Sequence, residues 1–578
     1  MSLKAQNKSG RKREAVKNVA LGWSESKFRY NRDSLHQILK LLVCKDVDRR
    51  KSSLGWFLPK SQNESKKLLD RWTSRSFQRN KSPEKLSSEI LDRIEKTDSC
   101  RTLDDAILIL GSSHFLRYSA GNCEFHNWNS FLEKLLEVSS LVVSQKKVDS
   151  IIYQWIAIEL PITIAFQVSQ LPQKTTLAEL AKKRLEINIC EMLDHDGWPL
   201  GRYLENLGLI TASWARSCLI LKKLGQKLTP DTTTQLGGLA RQIIRLLRPD
   251  KTLIFTHANS GKCCDAFLAS LSKLTDNRFD KSMVKFWLFP KRQKKITSAY
   301  STSNISEWAE CALLQSSWHR KSPKLAINFS INKPRVELLN NRQLLDGEFF
   351  PEIKVEGKIQ KPLSHFEVIC ELSDGDVEYL ELEMNIGDEL SLNRQFLLSK
   401  NENFLLFADL IRSNRKSHLD YQLRMPLDHS INGMAETENR EVYLIDPKIR
   451  ALVLPVFLPE WKSEPSSGSL QVNETHIQIN QSLKNKAMYL PVFFDLDAKR
   501  SKQKRTWRKI TVAENRQPVP SEQACAFRIQ LDEQQWFFYR SIGETGNRSF
   551  LGENFIGEFA FYRFDRTGLV TSLIEIHE

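Results

Sequence analysis

No run of about 18 apolar residues occurs in the 578-residue chain, so no segment reads as a membrane-spanning helix and no membrane partner is expected. The first 30 residues, "MSLKAQNKSGRKREAVKNVALGWSESKFRY", lack an apolar core of the secretory type, and a cytoplasmic protein is expected. CxxC, HxH and HxxxH spacings are missing, which argues against a clustered metal site; no metal and no cofactor are expected. The ten cysteines are scattered, and the one close pair, Cys263-Cys264, is too near in sequence to bridge comfortably, so reduced and mostly buried thiols are expected. Helix-turn-helix, zinc-finger and RNP patterns are also missing, so nothing points to reading of a nucleic-acid sequence.

Acidic residues are scarce at one end. Residues 1–300 hold 51 Lys and Arg against 30 Asp and Glu, whereas residues 301–578 hold 34 against 39. The basic half suits an anionic polymer, either an acidic polysaccharide or a nucleic acid; a basic tail with solvated helix faces accounts for the same excess.

Residues 1–28 are basic, have little to bury, and are expected to be a disordered tail. From 29 to 290 the apolar period is that of helices, in segments such as "DSLHQILKLLVCK", "VDSIIYQWIAIELPITIAFQVSQL" and "LGGLARQIIRLL", separated by Pro, Gly, Asn and Asp. Residues 291–305 form a basic, Ser/Thr-rich break expected to be a linker. From 306 to 578 the period falls to 2, with about fifteen short β-type runs that imply a large antiparallel sandwich. A series of helices in antiparallel pairs followed by such a sandwich is an uncommon domain order.

Polar residues concentrate in "EMLDHDGWPLGRYLENLGLITASWARS", Glu191 to Ser217. Asp196-Gly197 makes a turn, Pro199 suits a first helical position, and Leu200, Tyr203, Leu204, Leu207, Ile210 and Trp214 recur as one apolar face. Around them stand Asp194, His195, Asp196, Arg202, Tyr203 and Asn206. Asp194, Asp196 and Glu205 could serve as the paired carboxylates of a glycosidase, although Asp residues flanking a turn are commonly caps. Trp198, directly after the turn, is the first choice as a sugar-stacking platform; Trp155, Trp214, Trp308 and Trp318 are the other tryptophans considered, Trp155 reading as core.

Three segments give the chain a specific likeness. "LDHDGWPLGRYLENL", "LLRPDKTLIFTHANSGKCCDAFLASLSKL" about fifty residues on, and "SEWAECALLQSSWHRKSPKLAINFS" leading into "ELSDGDVEYLELEMNIGDELSLNRQFLLSKNENFLLFADLI" resemble, in order and spacing, elements of the heparinase II/III-like family. The resemblance spans roughly residues 30–578. It implies an incomplete α/α toroid at residues 29–290, a β-sandwich at 306–578, and an acidic, uronate-containing polysaccharide in a cleft between them, cleaved by β-elimination. That chemistry needs a group to neutralise the uronate carboxylate, a base for the C5 proton and an acid for the departing O4. By resemblance, the catalytic candidates are Tyr203, at the family's tyrosine position, with Asn206 three residues on, His257 in the "THANSG" turn, and His319 in "SSWHRK". The substrate-binding candidates are Trp198, Arg202, Asn259 and Arg320. The family's "HGHxD"-like strand is missing, the region reading "INKPRVELLNNRQLLDGEFF". Non-catalytic binding of an anionic glycan is therefore the second reading, and association with nucleic acid through the basic N-terminal region the third.

Overall fold

The computed structural model describes residues 102–120, 124–145, 147–168, 171, 174–256, 261–275, 277–288, 300–331, 333–564 and 567–577, with isolated positions (56, 57, 67, 88–90, 92–94 and 100) before them. The tail at 1–28, the segment "DSLHQILKLLVCK", His257 and Asn259 lie outside the described residues. The chain divides into two units, Met1–Pro199 with Tyr203–Thr297, and Leu200–Arg202 with Ser298–Glu578.

Among its described residues the first unit is helical: α1 (Leu103–Ser113), α2 (Leu116–Ala120), α3 (Phe125–Ser144), α4 (Ser150–Ile152, continued by a π-helical stretch Tyr153–Glu159 and by Leu160–Gln167), α5 (Lys174–Met192), α6 (Leu207–Lys223), α7 (Pro230–Arg245), α8 (Asp265–Leu271) and α9 (Arg278–Leu288). Helix α1 starts where Thr102 Oγ1 accepts from Asp105 N and Asp105 Oδ2 accepts from Thr102 N, both at 3.1 Å, a reciprocal cap of two otherwise unpaired donors. Helix α4 is apolar all round and buried along nearly its whole length, as its sequence requires. Pro161 has no N–H to offer the carbonyl four residues back, and Arg184 Nη1 donates to that carbonyl, Ala157 O, at 3.3 Å. The widened π turn sits at this point.

The one carboxylate of α4, Glu159, is fully buried and paired with Arg216 of α6. Arg216 Nε and Nη2 donate to it at 2.5 and 2.9 Å, and Ser213 Oγ at 2.5 Å. Gln154 Nε2 donates to Ser213 Oγ at 3.0 Å, and Trp214 Nε1 donates to Gln154 Oε1 at 3.1 Å. A buried charge pair of this kind persists because its remaining lone pairs and protons are satisfied. His114, fully buried between α1 and α2, has its pKa lowered to about 3 by burial and then by the Arg216 charge, so it is neutral.

The second unit is a stack of antiparallel sheets. A five-stranded meander runs Asn304–Ser306, Cys311–Gln315, Lys324–Asn328, Arg335–Asn340, Arg342–Glu348. The central eleven-stranded sheet contains the long strands Val377–Ile386, Leu390–Ser399, Phe404–Pro426 and His476–Asp495. A five-stranded sheet built on Arg505–Ile510, Ala524–Leu531, Gln534–Ser541, Phe559–Phe564 and Val570–Ile576 follows, then a small four-stranded sheet. Side-chain alternation assigns the layers. Leu380, Leu382, Phe396 and Leu398 share one apolar cluster with Ile327, Leu338 and Leu344 of the meander. Tyr379, Leu397, Phe404 and Leu406 share another with Trp507, Phe527, Trp536 and Phe561 of the third sheet. Ala526, Phe537, Tyr539 and Tyr562, on that sheet's other face, pack with Phe550 and Phe555 of the small sheet. The central strands are thus buried on both faces, which is why they read as near-continuous apolar runs. Twenty-five strands occur among the described residues, against about fifteen expected from sequence. The surplus includes two-residue strands such as Lys358–Ile359, Ala513–Glu514 and Gln517–Pro518, too short to carry a period.

Candidate functional site

The polar stretch after α5 is a tight reversal. Leu193 and Pro199 form an antiparallel bridge, Asp194 N donates to Trp198 O at 3.0 Å, and Gly197 N donates to Asp194 O at 3.1 Å. Asp194 Oδ1 accepts from Trp198 N at 2.7 Å, so this carboxylate closes the turn. Gly197 has φ +77°, and a Cβ there would lie 2.1 Å from Leu239 N of α7. A Cβ on Gly238 would in turn lie 2.2 Å from Asp196 O. Two glycines let the turn and α7 touch backbone to backbone.

Pro199 is therefore part of the reversal and not a first helical residue, a correction to the sequence expectation. The helix opens later, as a 3-10 turn Gly201–Asn206, and becomes α-helical only at Leu207. Leu200–Arg202 belong to the second unit: Gly201 N donates to Ala309 O at 2.9 Å, and Asn328 Nδ2 donates to Gly201 O at 3.0 Å. A Cβ on Gly201 would lie 2.5 Å from Ser330 Oγ, so only glycine lets the chain come this close. In a 3-10 turn residues i and i+3 eclipse, which aligns Tyr203 with Asn206. Both are half-buried, and Arg202 is exposed. Leu204, Leu207, Ile210 and Trp214 take the buried stripe.

Trp198 is 1% exposed, so its indole has no open face and the stacking role expected of it is not available in this structure. Trp155, Trp214 and Trp318 are likewise buried. Trp308 is the exception among the tryptophans considered, at 49% exposed. It precedes Ala309, the residue that receives the Gly201 N–H, so the exposed Arg202 and the exposed Trp308 each stand next to one end of that hydrogen bond.

His319 is exposed, its Nδ1 accepting from Lys321 N at 3.3 Å and its carbonyl from Ser322 Oγ at 2.7 Å. Arg320 beside it is half-buried. The segment "LLRPDKTLIF" builds a second reversal like the first, with Leu247 bridging Leu253 and Arg248 N donating to Thr252 O at 2.8 Å. Burial works against the charged form of Asp250, but hydrogen bonds from Lys262 and Thr252 outweigh it and hold the carboxyl below its usual range. Among the described residues no group of three or more His, Cys, Asp or Glu is placed to hold a metal ion. Sequence reasoning missed Asn328 and Ser330, which seat Gly201; a polar pair at a strand end gives no signal of what it will hold.

By sequence, no family model and no curated protein matches the chain. Solved structures match over nearly all of it. The heparan sulfate lyase HepC from Pedobacter heparinus superposes with a TM-score of 0.55 at 11% identity, covering 94% of this chain and 95% of that one. A heparinase III gene product gives 0.58 at 10% identity over 93% and 96%. A further heparinase III structure gives 0.53 at 10% identity over 87% and 82%. The chain has the heparinase III fold. Its fold class is that expected from sequence, an incomplete α/α toroid followed by a large antiparallel β-sandwich. At 10–11% identity the likeness carries the fold and not the chemistry.

Proposed function

We propose that this protein acts on or binds an acidic, uronate-containing polysaccharide, by β-elimination where it is active. The observation that carries the reading is the placement of Tyr203: it lies half-buried in the 3-10 turn, aligned with Asn206 and following the exposed Arg202. In the proposed reaction the Tyr203 phenolate removes the C5 proton of the uronate while Asn206 and Arg202 stabilise the charge building on its carboxylate. The electron pair moves into a C4–C5 double bond, the C4–O4 bond breaks, and the phenol returns the proton to O4. His257 and His319 are the proposed histidine partners. Trp308 takes the stacking role first given to Trp198, with Arg320 and Asn259 as further contacts to substrate.

Elimination leaves an unsaturated uronate that absorbs in the ultraviolet, so a panel of uronate polymers incubated with the full chain reads the activity directly. Turnover by the wild type and a loss of roughly 10²–10⁴-fold in Tyr203→Phe are expected. An equal rate in Tyr203→Phe would remove Tyr203 from the chemistry. Binding without turnover, surviving both Tyr203→Phe and His257→Ala, would instead favour the non-catalytic reading; the missing "HGHxD"-like strand and the exposed setting of His319 support that alternative. Association with nucleic acid is the remaining reading, and it rests on the charge of the N-terminal half alone.

A further inference from the structure

The third sheet of the β unit carries an arrangement that sheet energetics disfavours. Arg508, on the edge strand Arg505–Ile510, stands directly across the ladder from Arg528. Like charges in directly opposed positions repel. Among the described residues neither arginine makes an ion pair, and burial followed by the Arg508 charge lowers the pKa of Arg528. Arg528 is nonetheless held in place: its Nη2 donates to Gln530 Oε1 at 3.1 Å and to Gln535 Oε1 at 2.5 Å. Both partners are neutral amides, which orient the guanidinium without cancelling its charge. Its Nε is shielded from solvent and has no acceptor. The carboxylate on the neighbouring row, Glu460, accepts from Thr506 Oγ1 at 2.6 Å and from Trp507 N.

The registers place two transverse rows on this face, Arg508–Arg528–Phe537–Tyr562 and Thr506–Gln530–Gln535–Phe564. The small sheet covers the adjoining row of Ala526, Tyr539 and Ala560 together with Phe537 and Tyr562 at the far end of the first row, while Arg508 stays exposed and Arg528 and Phe564 are half-buried. Two uncompensated guanidinium groups, neutral amides and a partly open aromatic ring make a surface suited to an oxyanion carried on a sugar.

We propose that Arg508 and Arg528, oriented by Gln530 and Gln535, form a subsite on the third β-sheet for the sulfate or carboxylate groups of an acidic glycan chain. The choice of a glycan as the source of the oxyanion rests on the proposed function; the site itself does not.

The test uses the full chain as wild type and as Arg508→Gln/Arg528→Gln. Affinity for heparan sulfate is measured in 50 and 200 mM NaCl, and thermal melting is compared in sodium sulfate and sodium chloride at matched ionic strength. The expected result is about tenfold weaker polymer binding by the double variant in 50 mM NaCl, with a smaller salt dependence. Sulfate is expected to raise the melting temperature of the wild type above its value in chloride, and that increment is lost in the variant. Because both substitutions remove a repulsion, the variant should melt no lower than wild type in low-salt chloride, which separates loss of the site from loss of the fold. Equal polymer affinity in the two proteins overturns the subsite and leaves the proposed function standing. A sulfate increment that depends on the arginines, in a wild type that binds no uronate polymer, overturns the glycan source together with the proposed function. Tighter, arginine-dependent binding of single-stranded nucleic acid than of heparan sulfate overturns it as well.

Discussion

Replacing Arg216 by Met tests whether the helical unit is held by the charge pair at its centre. Glu159 has no exposed surface and takes three hydrogen bonds, two from Arg216 and one from Ser213. Met fills a similar volume but leaves the carboxylate with the Ser213 hydroxyl alone. Breaking one side of a buried pair costs about 3–5 kcal/mol, because the surviving charge stays desolvated. For a unit of roughly 200 residues each kcal/mol moves Tm by about 2–4 °C, so a fall on the order of 10 °C is expected at pH 7. Arg216→Met/Glu159→Gln removes both charges and should recover most of the loss. Calorimetry on the three proteins reads all of this. A single variant within 2 °C of wild type, or a double variant no better than the single, would show that packing and not charge is at stake.

Three further outcomes follow from the same geometry. His114 titrates at about 3 when folded and near 6.5 when unfolded, so its contribution is complete above pH 6.5 and is lost as pH falls toward 3, because the unfolded chain binds the proton first. Between pH 7 and pH 4.5 this amounts to about 2–3 kcal/mol, and His114→Phe should flatten that part of a stability-against-pH curve measured by urea unfolding. Gly238→Ala sets a methyl 2.2 Å from Asp196 O and should cost upward of about 2 kcal/mol, read as a lower denaturation midpoint; a neutral effect would mean the reversal gives way without strain. Thr102→Ala breaks the reciprocal cap of α1 and should cost about 1 kcal/mol in the same measurement.

The two-unit order was legible because the apolar period changes from 3.6 to 2 near residue 300, and period reports which faces are buried whatever the partner. The long central strands were visible for the same reason. Residues 377–382 and 404–411 carry apolar residues on both faces because a sheet lies on each side of them, whereas the stretch 417–426 alternates and buries one face only. The start of the helix near residue 200 was not legible. Pro199 satisfies the rule for a first helical position, yet it is committed to the bridge with Leu193 that closes the reversal, and the Gly201 carbonyl accepts from Asn328, a residue more than a hundred positions away. Local preference loses to a tertiary hydrogen bond, and the result is a 3-10 turn that alters which side chains line up with Tyr203.

The tryptophans show the same limit from the other side. Trp198, directly after the Asp196-Gly197 turn, ranks above Trp308 as a stacking platform by sequence pattern, yet Trp198 is the buried one and Trp308 the exposed one. What separates them is the glycine contact. Gly197 brings the turn within backbone distance of α7, and Trp198, one residue later and tied back through its N–H to Asp194, is buried with it. Trp308 follows a strand end whose Ala309 is turned to receive Gly201, and its ring stays in solvent. Arg508 and Arg528 lie beyond sequence reading altogether: 20 residues separate them, and only the register of two strands makes their charges face each other. An arrangement built from register is invisible until the ladder is known, whereas a turn followed by a helix start leaves a trace in the sequence, as the Asp194–Asn206 stretch did.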